Sequence, residues 1–268
     1  MTPENPSILK IALVQSDPAW KDIDGNLKRL EKMLSDATDA DIFVLPEMFS
    51  TGFVTEPAGA AETSTVKAGI RSTPSLEFLR DMARRKNAAM AGSAAIFEDG
   101  RYFNRFYFVR PDGTFDHYDK HHLFTFSGEH LRFTPGKERV ITEYKGLKIL
   151  LQVCYDLRFP CFARNRSRDG GADYDLALYV ASWPVQRIGV WDLLLRARAV
   201  ENRCYVAGVN RVGTDPGNTY PGHSCLTGPD GNMLSICKEN RQNIVITTID
   251  TDFLKKCRKE FPVLEDAD

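Results

Sequence analysis

The sequence predicts an α/β fold, a two-layered arrangement of mixed sheets with helices outside, and three observations carry that expectation. Apolar runs of strand length alternate with segments of helical periodicity along most of the chain. Asp-Gly pairs stand where consecutive strands have to reverse. No internal repeat, low-complexity linker or break in composition divides the 268 residues. Residues 1–268 therefore read as a single domain, with a core from about residue 8 to 250 and a tail over 251–268.

In chain order, ILKIALVQ (8–15) reads as a strand, and NLKRLEKMLSDA (26–37) places Leu27, Leu30 and Leu34 on one helical face. DIFVLPE (41–47) is a second strand, and SLEFLRDMARRK (75–86) a helix with Pro74 at its start. AAMAGSAAIFE and RYFNRFYFVR are strands joined by an EDGR turn, and RPDGTF turns the chain again. LKILLQVC is a strand, the segment after Pro160 a helix, DLALYVAS (175–182) a buried strand and residues 189–204 a helix. YVAGVN, a hairpin at GPDGN (228–232) and NIVITTID (243–250) complete the sheets.

Composition narrows the function classes. Thirty-five basic against 36 acidic side chains leave a net charge of −1, which gives no electrostatic case for nucleic acid or an anionic membrane as a partner. The basic run over 80–86 reads as the wet face of a helix. MTPENPSILKIALVQ has neither the basic region nor the long apolar stretch of a signal peptide, and no apolar run is long enough to span a bilayer. Six cysteines without CxxC spacing argue against a zinc ribbon, a thioredoxin-like site or a disulfide framework, and point to the reducing cytoplasm.

Three segments put an ionisable residue at the end of an apolar strand or in a turn beside one: VLPEMF with Glu47, HYDKHHLF with Lys120, and QVCYDLRFP with Cys154. Singly, each has a plainer reading as an edge carboxylate, a surface lysine or a structural thiol. Together they form a chemically complete set. A thiol needs activation to attack an unactivated carbonyl. A carboxylate can take its proton, and an ammonium can stabilise the thiolate and a later oxyanion. His121 and His122 flank Lys120 without a partner at metal-ligand spacing, so they read as loop residues or as supports behind the site; His223 is left unassigned, and no metal or organic cofactor is called for.

LPEMFSTGF, YDKHHLF, SGEHLRFTPG and CYDLRFP, in that order, resemble the successive signature segments of the nitrilase (carbon–nitrogen hydrolase) superfamily. RARAVENRCYV (196–206) and GHSCLTGPDGNML resemble its later segments, so the likeness runs from residue 8 to about 250. The resemblance implies a four-layer αββα sandwich, often paired into a dimer, and a Glu47–Lys120–Cys154 triad. It implies that Glu129 positions the lysine, although a solvated loop carboxylate is the competing reading there. A tight turn at Cys154 would aim the Tyr155 N–H at the developing oxyanion, with help from Lys120.

Cys-Tyr-Asp at the nucleophile differs from the Cys-Trp-Glu of true nitrilases. EMFSTGF, YDKHHLF, CYDLRFP and NRVGTD (210–215) are most similar to the omega-amidase branch, whose members hydrolyse 2-oxoglutaramate and 2-oxosuccinamate. Cys161 departs from many relatives at its position. A dicarboxylate monoamide needs a cation for its distant carboxylate, and Arg158 and Arg187 are the candidates, each with an alternative as a structural ion-pair partner. Phe124, Phe126 and Trp183 are candidate apolar walls, or plain core. An N-carbamoyl amino acid amidohydrolase or a general aliphatic amidase would share every catalytic residue. An interaction scaffold, and a redox sensor using Cys161 as resolving thiol, are the readings from other classes.

Overall fold

A computed structural model describes residues 6–67, 69–168 and 171–266; the first five residues of the N-terminal segment and the last two of the tail lie outside it. Two large sheets form its centre. The first orders its strands as Asn243–Asp250, Ile8–Gln15, Ile42–Val44, Ala89–Glu98, Arg101–Val109 and Phe115–Asp119, with a two-residue strand, Glu62–Thr63, also pairing on Ala89–Glu98. The second runs Met233–Ile236, Cys225–Thr227, Tyr205–Asn210, Leu176–Ala181, Leu147–Val153 and Ile141–Tyr144. Each sheet has three parallel strands at its centre and antiparallel strands towards its edges.

The period-2 alternation of the strands divides the core into layers. Leu9, Ile11 and Leu13, with Phe106 and Phe108, face Ile149, Leu151, Val153, Leu178 and Val180 of the other sheet in one fully buried cluster. Their neighbours Ala12, Val14, Tyr107 and Val109 point the other way, against Leu30, Leu34, Leu76, Leu79 and Met82 of helices Ile23–Ser35 and Pro74–Lys86. On the far side, Ala177, Tyr179, Ala181 and Val206 pack on Trp191, Leu195 and Ala199 of helix Ile188–Asn202. The layers are helix, sheet, sheet, helix, with each buried large aliphatic or aromatic side chain worth roughly 1.5–3 kcal/mol.

Local chemistry sets the boundaries. The first helix begins at Ile23, three residues ahead of its apolar periodicity, because Asp22 caps it by accepting the Gly25 N–H at 3.0 Å. Thr73 caps the second helix, Pro74 occupies its first position, and Asn87 closes it in the left-handed region. Asp99 and Gly100 both have positive φ, so the predicted EDGR turn is a two-residue hairpin. The predicted helix after Pro160 is a single turn, Pro160–Ala163. Beyond it Arg164 is extended, and buried Asn165 ties the chain to Tyr174 and Asn202. Within 251–266 of the predicted tail, Thr251–Glu260 is a helix capped by Asp250, with Leu254 in the inter-sheet core. No helix among the described residues is long and apolar enough to cross a membrane.

Candidate active site

The parallel strands of both sheets end on the same side of the molecule, and the polar residues of the site stand just beyond those ends. Ile42–Val44 leads through Leu45 and Pro46 to Glu47; Leu147–Val153 leads to Cys154, and Leu176–Ala181 to Ser182. Lys120 comes directly after the edge strand Phe115–Asp119, whose end is fixed by a two-pronged ion pair between Arg105 and Asp119 at 2.7 and 3.0 Å. The next loop closes over Lys120 as Gly136 N donates to its carbonyl at 2.9 Å. A side chain at 136 would collide with the Asp119 carbonyl, so glycine is required there.

These strand ends bring Glu47, Lys120, Glu129 and Cys154 together. The first three are fully buried. Lys120 Nζ donates to Glu47 Oε1 at 3.0 Å and to Glu129 Oε2 and Oε1 at 2.9 and 3.1 Å. Burial opposes its charge, but Glu129 and Glu47 outweigh that and hold the ammonium above the ordinary lysine range. Glu129 sits in a short 3-10 turn, Glu129–Leu131, and accepts the Phe124 N–H at 2.6 Å; burial raises its carboxyl despite Lys120. Glu47 Oε2 accepts the Ser182 N–H at 2.8 Å.

Cys154 opens a 3-10 helix, Cys154–Arg158, with φ of 47°, a left-handed conformation that a non-glycine residue adopts at a cost of ~1–3 kcal/mol. Asp156 supports this elbow. Its buried carboxylate accepts from Val153 N at 3.0 Å, Tyr118 Oη at 2.8 Å and His122 N at 2.9 Å, with His122 Nδ1 at 2.8 Å. His121 stacks flat on Phe162 and His122 on Phe159, joining the lysine loop to the segment after the cysteine. The Cys154 thiol lies against Glu47 and the Ser182 amide. Burial and the Glu47 charge hold it well above the ordinary thiol range, against the pull of Lys120. Burial and Glu47 thus favour the thiol over the thiolate at rest. Tyr155 is the second residue of the short helix, where first-turn amides lack an intrahelical acceptor.

Cys154 is reached through a cavity of about 300 Å³ whose lining includes Phe53, Phe124, Phe126, Tyr155, Trp183 and Tyr220. All five residues expected at a substrate pocket line it. The Arg158 guanidinium lies over the Trp183 ring at 5.1 Å, and that of Arg187 over Phe124 at 5.4 Å and Phe126 at 5.9 Å. Among the described residues, neither arginine has a carboxylate partner, which distinguishes them from Arg105, Arg198 and Arg258. Trp183 is buried, with Nε1 donating to the Arg187 carbonyl at 2.8 Å, whereas Phe126 is 85% exposed at the mouth.

Four contributors escaped sequence reasoning. Ser182 acts through its backbone N–H, which no side chain announces. Asn104 is a single amide in the middle of strand Arg101–Val109 and Asn210 the single amide that ends apolar strand Tyr205–Asn210, patterns that could have flagged them. Asn210 holds the Trp183 turn through paired bonds of 2.7 and 2.9 Å. Tyr220 reaches the cavity from the hairpin Val212–Thr214/Thr219–Pro221, stacked on buried Arg211 and bonded to Asp215.

A buried carboxylate, ammonium and thiol on an αββα sandwich define a class of cysteine hydrolases that act on carbon–nitrogen bonds. Residues 10–259 match the carbon-nitrogen hydrolase family model. The chain is 41% identical over 263 residues to "Omega-amidase YafV" of Yersinia enterocolitica, covering 98% of each, and 32% identical over 259 residues to "2-oxoglutaramate amidase" of Bacillus subtilis, covering 96% of each. The crystal structure of XC1258 from Xanthomonas campestris, a CN-hydrolase superfamily protein with an arsenic adduct in its active site, superposes with a TM-score of 0.92 at 41% identity, covering 97% of each chain. The chain belongs to the carbon–nitrogen hydrolase family and, within it, to the omega-amidase branch.

Proposed function

We propose that this enzyme is an omega-amidase that hydrolyses the terminal carboxamide of short keto-dicarboxylate monoamides, 2-oxoglutaramate and 2-oxosuccinamate, to acid and ammonia. The observation that carries the reading is the pocket. The Cys154 thiol beside the buried Glu47 carboxylate lies at one end, and two guanidinium groups that have no carboxylate partner among the described residues stand on its walls. An amide and a carboxylate on one small substrate match those two features.

In the mechanism, Cys154 Sγ attacks the amide carbon as Glu47 takes the thiol proton. Lys120 Nζ and the Tyr155 N–H hold the tetrahedral oxyanion. Glu47 returns the proton to the departing nitrogen, the C–N bond breaks and ammonia leaves a thioester on Cys154. Water then attacks, Glu47 taking its proton; the C–S bond breaks and the thiol is restored. Glu129 keeps Lys120 charged and in place throughout. Phe124, Phe126 and Trp183 keep bulk water from the thioester.

The subunit is inferred to pair with a second copy. Leu193 and Val200 stay exposed one above the other on helix Ile188–Asn202, and Val200 abuts Gly231 beside exposed Met233 and Leu234. Sedimentation tests the pairing: the wild type should run as a dimer and a Leu193→Asp, Leu234→Asp variant as a monomer, whereas a monomeric wild type would overturn it. Six free thiols fit a reducing cytoplasm. The test of function is kcat/KM for ammonia release from 2-oxoglutaramate and 2-oxosuccinamate against N-carbamoyl amino acids and simple aliphatic amides. The keto-amides should lead the panel; a lead for another substrate keeps the chemistry and rejects the branch-specific substrate.

A further inference from the structure

Glu47 and Glu129 share one buried ammonium, and a neutral side chain bridges them. Asn104, in the middle of strand Arg101–Val109, is fully buried. Its Nδ2 donates one hydrogen to Glu47 Oε1 at 2.8 Å and the other to Glu129 Oε1 at 3.2 Å. Its Oδ1 accepts from Ser93 Oγ at 2.9 Å, and Ser93 Oγ accepts from the Met48 N–H at 3.0 Å. Its backbone carbonyl accepts from Lys120 N at 2.9 Å. Ionised carboxylates only accept, so the amide must turn both hydrogens to them and its oxygen to the Ser93 hydroxyl.

A carboxylate offers about four lone-pair positions. On Glu47, Oε1 is filled by Lys120 Nζ and Asn104 Nδ2, and among the described residues Oε2 accepts a hydrogen bond from the Ser182 N–H only. The open position is on Oε2. We propose that Asn104 is a positioning residue for the hydrolysis: by saturating Glu47 Oε1 and tethering Glu129 beside Lys120, it leaves Glu47 Oε2 as the atom that receives the thiol proton. This rests on Glu47 being the base. Without Asn104, Oε1 has only Lys120, and the carboxylate can turn about its last bond and exchange its two oxygens. The charged and titratable groups facing this carboxylate are Lys120, Glu129, Cys154 and the Tyr220 hydroxyl.

Asn104→Leu keeps the volume and removes both donors. With 2-oxoglutaramate as probe, kcat should fall roughly 100-fold while KM moves less than about threefold. The acid limb of the kcat/KM profile should shift to higher pH, because the carboxylates lose donors that favour their charged form. A residue that only packed its strand would lower the melting temperature without moving that limb. Asn104→Asp covers the case in which the leucine variant does not fold. Its carboxyl donates one hydrogen only when protonated, so its activity should recover as pH falls, opposite to the wild type. A wild-type kcat and pH profile in either variant overturns the proposal. Glu47→Gln is assayed in parallel. If it stays active, the base assignment itself fails; if it is inert while Asn104→Leu is unaffected, only the role of Asn104 fails.

Discussion

The Lys120 ammonium is gripped by both oxygens of Glu129, at 2.9 and 3.1 Å, with neither side chain open to solvent. Together with Glu47 they form a buried cluster of two negative charges around one positive. Removing the central charge leaves two carboxylates uncompensated, at a cost of about 3–5 kcal/mol. Lys120→Ala should therefore lose both activity and stability. Glu129→Gln keeps the shape and one acceptor oxygen, so it should fold and lose kcat with little change in KM. Melting curves beside steady-state kinetics separate the two effects.

The φ of 47° at Cys154 gives a second prediction, independent of chemistry. Glycine relieves left-handed strain, so Cys154→Gly should be more stable than Cys154→Ala by about 1 kcal/mol, the reverse of their order at an ordinary position. Chemical denaturation of the two inactive variants checks it. Equal stability would place the strain elsewhere.

Arg158 and Arg187 carry their charge over aromatic faces and lack carboxylate partners among the described residues. A hydrogen bond from a charged group contributes about 1.5–3 kcal/mol, or roughly 10–100-fold in affinity. Whichever arginine meets the substrate carboxylate should raise KM for 2-oxoglutaramate by that factor on change to methionine, while kcat/KM for an uncharged aliphatic amide stays nearly constant. If neither variant separates the two substrates, the carboxylate is held elsewhere.

How much of this could be read from the sequence depended on whether a side chain advertised its surroundings. Glu47 and Cys154 were legible because each ends an apolar run with an ionisable group, and Lys120 because it stands in the turn just after a strand. Glu129 was harder. FSGEHLRF looks like a wet loop, and only the folded chain, by wrapping the loop over Lys120 with Gly136 beneath, buries the carboxylate completely. Strand positions emerged from alternation, but their neighbours did not. That Leu147–Val153 lies parallel to Leu176–Ala181 and faces Ile8–Gln15 across the core is decided by crossovers and side-chain volumes, not by any single period. The helix after Pro160 formed but ended after one turn, at Ala163, because Asn165 is tied to Tyr174 and Asn202 instead.

The buried thiols should make stability fall in alkali. Burial pushes Cys204 and Cys225 from an ordinary 9.0 up to about 12. Above about pH 9 the unfolded chain releases these protons and the folded chain keeps them, so stability falls as pH rises, by about 1.4 kcal/mol per unit for each thiol. The loss should begin near 9 and level off near 12. Melting temperatures taken from about pH 8 to about pH 11 should show the fall, and Cys204→Ala should flatten it. An unchanged slope in that variant would assign the alkaline loss to other groups.

The most direct test of the account is ammonia release from saturating 2-oxoglutaramate by the wild type, Cys154→Ala and Glu47→Gln side by side, each with its melting temperature. Turnover by the wild type and at least ~10³-fold less by both folded variants is the predicted result. A folded variant that still releases ammonia at the wild-type rate would contradict the assignment of nucleophile and base to these two residues.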